Sequence, residues 1–118
     1  MIPAIIKKGY KLECNINNLI NIFEQMKNDG WDVSKDLKWG YFFFDKNREN
    51  LIKLFELIKD RNYTVESLHQ NDSDYWVLYI SKIETHTPES LHNRNMAMNE
   101  LAEFLNVELY DGWEVEPI

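Results

Sequence analysis

The 118-residue chain has a formal net charge of −7, with 44% hydrophobic and 14% aromatic residues. It is too apolar for a disordered segment, too interrupted by charge for a membrane span, and too acidic for a nucleic-acid footprint built from clustered Lys and Arg. Its length suits one hydrophobic core, so residues 1–118 are expected to form a single domain.

The chain begins MIPAIIKKGYKLEC, where a short apolar run precedes the lysines instead of following them. This is unlike a secretory signal, and the protein is expected to remain in the cytoplasm. Cys14 is the only cysteine, which excludes an internal disulfide and a tetrahedral cysteine zinc site. A lone cysteine beside a helix start reads as a small packing residue rather than a nucleophile.

From Asn15 to Asn28, Ile16, Leu19, Ile20, Phe23 and Met26 recur at helical spacing, and Gly30 stands where such a helix should stop. Trp39 to Asp45 is short, aromatic and bounded by turn-formers, which predicts a strand. The period then changes: Leu51, Leu54, Phe55 and Ile58 form a helical stripe reaching about Arg61, with Asp45 or Asn47 as its N-cap.

Tyr63 to Leu68 and Tyr75 to Ile83 read as an antiparallel hairpin around Gln70-Asn71-Asp72-Ser73-Asp74. In the second strand, alternation sends Trp76, Leu78 and Ile80 to one side and Tyr75, Val77, Tyr79 and Ser81 to the other. Thr87-Pro88-Glu89 signals a third helix through a Thr N-cap, Pro at the first helical position and an acid at the positive end of the dipole. Alternation resumes from Val107 to Tyr110, where a last strand begins.

After the first helix, the order is βαββαβ. The predicted architecture is α+β: a ferredoxin-like antiparallel sheet with an extra N-terminal helix. Right-handed crossovers would place both crossover helices on one sheet face, leaving the other for the N-terminal helix, a partner, or both.

No motif carries chemistry. His69, His86 and His92 lack the HxH or HExxH spacing of a metal site, and the latter two read as surface or capping residues at the third helix. The four glycines form no phosphate-binding loop, so no cofactor is expected and no catalytic residue is assigned. Glu114 and Glu116 sit two apart on one strand face and read as a solvated acidic edge. The aromatic residues gather on strands: Trp39, Tyr41, Phe42, Phe43, Phe44, Tyr75, Trp76, Tyr79, Tyr110 and Trp113. Rings beyond those needed for a core would form a contact patch.

Asp111-Gly112 between apolar residues predicts a type I′ hairpin turn, or a bulge, with Trp113 to Ile118 returning as a short strand. Three stretches, WGYFFFDKNRENLIKLFELIKDRNYTVE, YWVLYISKIETHTPESL and LAEFLNVELYDGWEVE, run from Trp39 to Glu116 and together resemble the ribonuclease E inhibitor B (RraB-like) family. The most specific element is Tyr110-Asp111-Gly112-Trp113, which looks like that family's closing signature and is assigned mainly to the fold. The resemblance implies a small, acidic, cytosolic, ferredoxin-like protein. Such a protein inhibits ribonuclease E by binding outside the catalytic centre, without chemistry of its own. The chain departs from the family's better-known members at its N-terminus, which is mildly basic here and strongly acidic there.

The candidate partner-binding residues are Glu108, Asp111, Glu114, Glu116, Tyr75 and Tyr79, which would offer acidic and aromatic groups to a basic protein surface. The expected partner is a basic ribonuclease or a nuclease toxin, with no direct nucleic-acid binding and no membrane. Two other functions fit the same sequence: an immunity protein neutralising a nuclease toxin, and a small ferredoxin-like enzyme or ligand-binding domain.

Overall fold

A computed structural model describes residues 16–118; Cys14 and the MIPAIIKKGYKLEC stretch lie outside the described residues. The elements in order are α1 (Ile16–Asn28), β1 (Leu37–Asp45), α2 (Arg48–Ile58) followed by a 3₁₀ turn (Lys59–Arg61), β2 (Thr64–Gln70), β3 (Trp76–Glu84), α3 (Pro88–Phe104) and β4 (Leu109–Glu116). The architecture is α+β, three helices on a four-stranded sheet ordered β2-β3-β1-β4 with every neighbouring pair antiparallel.

Local chemistry sets the helix ends. α1 closes with Gly30 N–H on the Lys27 carbonyl (3.0 Å) and Trp31 N–H on the Met26 carbonyl (2.9 Å), the paired bonds of a Schellman motif. Asn47 caps α2 by accepting from the Glu49 amide. Thr87 and Ser90 exchange side-chain-to-backbone bonds at the start of α3, satisfying two amide donors that the first turn leaves unpaired.

Strand alternation sends Trp39, Tyr41 and Phe43 of β1 into the core, beside Leu78 and Ile80 of β3 and Trp113 and Val115 of β4. All three helices cover this face. α2 contributes Leu51, Leu54 and Ile58, and α3 contributes Leu91, Met98 and Ala102. α1 packs beside α3, where Phe23 stacks on Trp39 with ring centroids 5.9 Å apart. The N-terminal helix therefore does not take the opposite sheet face, which no described helix covers.

At Asp111-Gly112 the structure decides between turn and bulge, and at His86 it changes an expectation. Asp111-Gly112 is no hairpin turn, because β4 runs on through it. Tyr41 pairs with Trp113 and Phe43 with Tyr110, so Asp111 and Gly112 together face Phe42 as a β-bulge. A turn and a bulge both favour glycine at positive φ, and Gly112 has φ 101°.

His86 is no surface residue but is 5% exposed, with the Trp39 ring 5.0 Å away in an edge-to-face arrangement. Its Nε2 lies 3.0 Å from Glu84 Oε2, and its Nδ1 lies 2.8 Å from Ser90 Oγ. Arg94 grips the same Glu84 carboxylate through both guanidinium arms. Burial favours the neutral acid, but the bonds from His86 and Arg94 outweigh it and bring the Glu84 pKa down to about 2.

Candidate functional site

The uncovered sheet face carries rings on its central strands. Phe42 of β1 and Tyr79 of β3 are register partners, and their rings stack with centroids 4.5 Å apart and planes 7° apart. Tyr79 lies across β1 at Gly40. A Cβ there would come within 2.3 Å of the Tyr79 Cε1 atom, so only glycine leaves room for the ring. The Tyr79 hydroxyl then reaches β4 and donates to Glu114 Oε1 at 2.9 Å. One side chain thus spans three strands.

Carboxylates gather around this ring. Lys38 Nζ lies 3.0 Å from Glu66 Oε2 and 3.4 Å from Glu116 Oε1, and Ser81 Oγ donates to Glu66 Oε2 at 2.6 Å. Glu66 is held below its usual pKa by the Ser81 bond first and then by Lys38. The Tyr79 phenol is held well above its usual pKa, first by burial and then by the bond to Glu114, with the Glu114, Glu116 and Glu66 charges adding to it. Ile83, on the same strand and face, is 56% exposed.

Further along β1 the face continues through Phe44. Its ring lies 6.4 Å from that of Tyr75, over which Lys46 Nζ stands at 5.5 Å. Glu108 accepts from the Lys46 amide at 3.1 Å. Phe44, Tyr75, Glu108 and Leu109 line an open hollow of about 700 Å³. Beneath it the buried Asp45 carboxylate accepts from the Asn47 and Glu108 amides and from the Asn50 side chain, tying the ends of β1, α2 and β4 together.

Of the six candidate residues read from the sequence, Tyr79, Glu114 and Glu116 come together at one end of this face. Tyr75 and Glu108 both line the hollow at the other end. Asp111 lies in the bulge between, half-buried. The supposed solvated edge of Glu114 and Glu116 is half-buried and engaged with Tyr79 and Lys38. Among the described residues, no three His, Cys, Asp or Glu could hold a metal ion, and no helix is long and apolar enough to cross a membrane.

The family model for regulator of ribonuclease activity B (RraB) matches residues 17–115. The chain belongs to the RraB family. No curated protein and no solved structure matches it. In this RraB-family chain the Tyr110-Asp111-Gly112-Trp113 stretch serves the fold. Tyr110 packs against Phe43 at 5.1 Å and donates its hydroxyl to Asn95 Oδ1, while Trp113 packs against Trp39 at 5.8 Å.

Sequence reasoning placed Ser81 on the Tyr79 face but missed Lys38, Gly40 and Glu66 as parts of it. Lys38, Gly40, Phe42 and Phe44 do share one parity on β1, and that signal was readable. Glu66 was not, because β2 shifts register between Val65 and Ser67.

Proposed function

We propose that the chain is a non-catalytic inhibitor of a ribonuclease of the ribonuclease E type, binding it through the acidic, aromatic sheet face. Membership of the RraB family supports ribonuclease regulation. The choice of surface rests on one observation: Tyr79 reaches over Gly40 with its hydroxyl on Glu114, on a face that no described helix covers. A ring and a carboxylate already fixed in place lose little freedom when a partner docks.

The partner's surface is basic in this reading. Its Lys or Arg side chains meet Glu66, Glu114 and Glu116 and lie over Phe42, Tyr79 and Tyr75. A standard interface takes about 800 Å² from each side, so both ends of the face take part, Glu108 and Asp111 included. The strand order β2-β3-β1-β4 supports a ferredoxin-like reading of the plan, each crossover helix joining strands that flank a third. The cytoplasm is the working compartment, that being where such a ribonuclease acts.

Calorimetric titration of the protein into the purified ribonuclease at two salt concentrations tests this reading. Tight binding that weakens with salt, together with slower RNA cleavage, is the expected result. Undiminished cleavage with excess protein would overturn it. Tight binding to a nuclease toxin instead would replace it with immunity.

A further inference from the structure

On the helical side, away from the aromatic face, a groove of about 360 Å³ opens between the end of α2, α3 and β3. Leu57, Met98, Ala97 and Leu101 give it an apolar wall, and Leu57 is 55% exposed there. The charged residues lining it are Arg61, Lys82 and Arg94, with no carboxylate among them. A cleft with cations alone runs against the chain's net charge of −7.

The three cations converge on Tyr63. Lys82 Nζ stands 5.0 Å from its ring centroid and Arg94 Cζ 5.8 Å, and the Arg61 charge also acts on the phenol. Arg94 is fixed by its two bonds to Glu84. Among the described residues, Arg61 and Lys82 take part in no ion pair. The groove therefore holds positive charge not matched by its own acids, beside the exposed side chains of Leu57 and Ala97.

We propose that this groove binds a small organic anion with a compact apolar tail, of which a medium-chain carboxylate is the simplest. The head group sits between Lys82 and Arg61, with the spare donors of Arg94 facing it. The tail lies along Leu57, Met98 and Leu101. The volume falls in the range of small-ligand sites, and the mix of apolar wall and few convergent polar groups is typical of them. This site is independent of the ribonuclease-binding reading and lies on the other side of the sheet.

The test is a titration of ¹⁵N-labelled protein with octanoate, followed by amide shifts. Saturable shifts are expected at Tyr63, Lys82, Ala97 and Leu101, with affinity rising about fourfold for each methylene from hexanoate to octanoate. Joint substitution Arg61→Gln and Lys82→Gln should weaken binding at least tenfold. Lys53→Gln, an exposed lysine on α2 outside the groove, should leave binding unchanged. Shifts confined to the aromatic face, acetate binding as well as octanoate, or undiminished binding in the double variant would each overturn the proposal. The chain-length series uses the natural protein and stands even if the variants fold poorly.

Discussion

Tyr110 and Trp113 stand three positions apart on one strand, yet both rings point into the core, 1% and 0% exposed. A regular strand would send them to opposite faces. The extra residue in the bulge restores the parity, so that one ring meets Phe43 and the other Trp39. Downstream of the bulge the same shift turns Glu114 and Glu116 toward the aromatic face, where they meet Tyr79 and Lys38.

Gly112→Ala should strain the bulge, because a φ of 101° is one that L side chains rarely adopt. The expected cost is about 1–3 kcal/mol, read as a lower urea midpoint at unchanged slope. An unaltered midpoint would mean that the bulge relaxes without cost.

Gly40→Ala should displace the Tyr79 ring, since the new methyl would sit 2.3 Å from Cε1. Overpacking of this kind costs about 1–3 kcal/mol. The alkaline titration of Tyr79 should also fall back toward the ordinary value of 10.0 as the ring leaves its shelter and loses Glu114. In a Tyr79→Ala background the same glycine substitution should cost much less, which a double-mutant cycle would show.

Tyr110→Phe removes the donor to Asn95 Oδ1. Asn95 is fully buried, and its Nδ2 has no hydrogen-bond partner among the described residues. The single change should cost about 1–3 kcal/mol because it leaves a buried acceptor unpaired. Adding Asn95→Leu should recover much of that loss, measured by chemical unfolding.

Glu84 makes acid stability predictable in sign. Its pKa falls from 4.5 in the unfolded chain to about 2 in the folded one, so the unfolded state takes up its proton first as pH drops. The stabilisation it gives is complete above pH 4.5 and disappears as pH falls toward 2. Glu84→Gln should lower stability at neutral pH and flatten this acid limb, as followed by thermal unfolding across the range.

Glu114→Gln with Glu116→Gln should slow association with a basic partner severalfold at low salt and reduce the salt dependence, while the fold persists. Stopped-flow kinetics at two ionic strengths would measure this. An unchanged on-rate would assign steering to other carboxylates.

The helices and strands were legible because their signals are local: the stripes of α1 and α2, Asn47 before α2, and the Thr87-Pro88 start of α3. The candidate site was legible only in part. Tyr79, Glu114 and Glu116 could be named, but their meeting depends on register across β3, β1 and β4, which a bulge decides. Gly40 fell within the expected strand, but its purpose, room for a ring from the next strand, lies outside its own neighbourhood. His86 looked exposed because Glu84 and Ser90 become its partners only once β3 and α3 are docked.

The strand order has a consequence for synthesis. β1 is central, yet one of its neighbours, β4, is the last strand to be made. Until Leu109 to Glu116 have left the ribosome, β1 has one open edge. Trp39 and Phe43 then lack Trp113 and Tyr110, and Asp45 lacks the Glu108 amide. Of the four strands in this sheet, β4 is made last, and it closes the remaining open edge of β1 in a single late step.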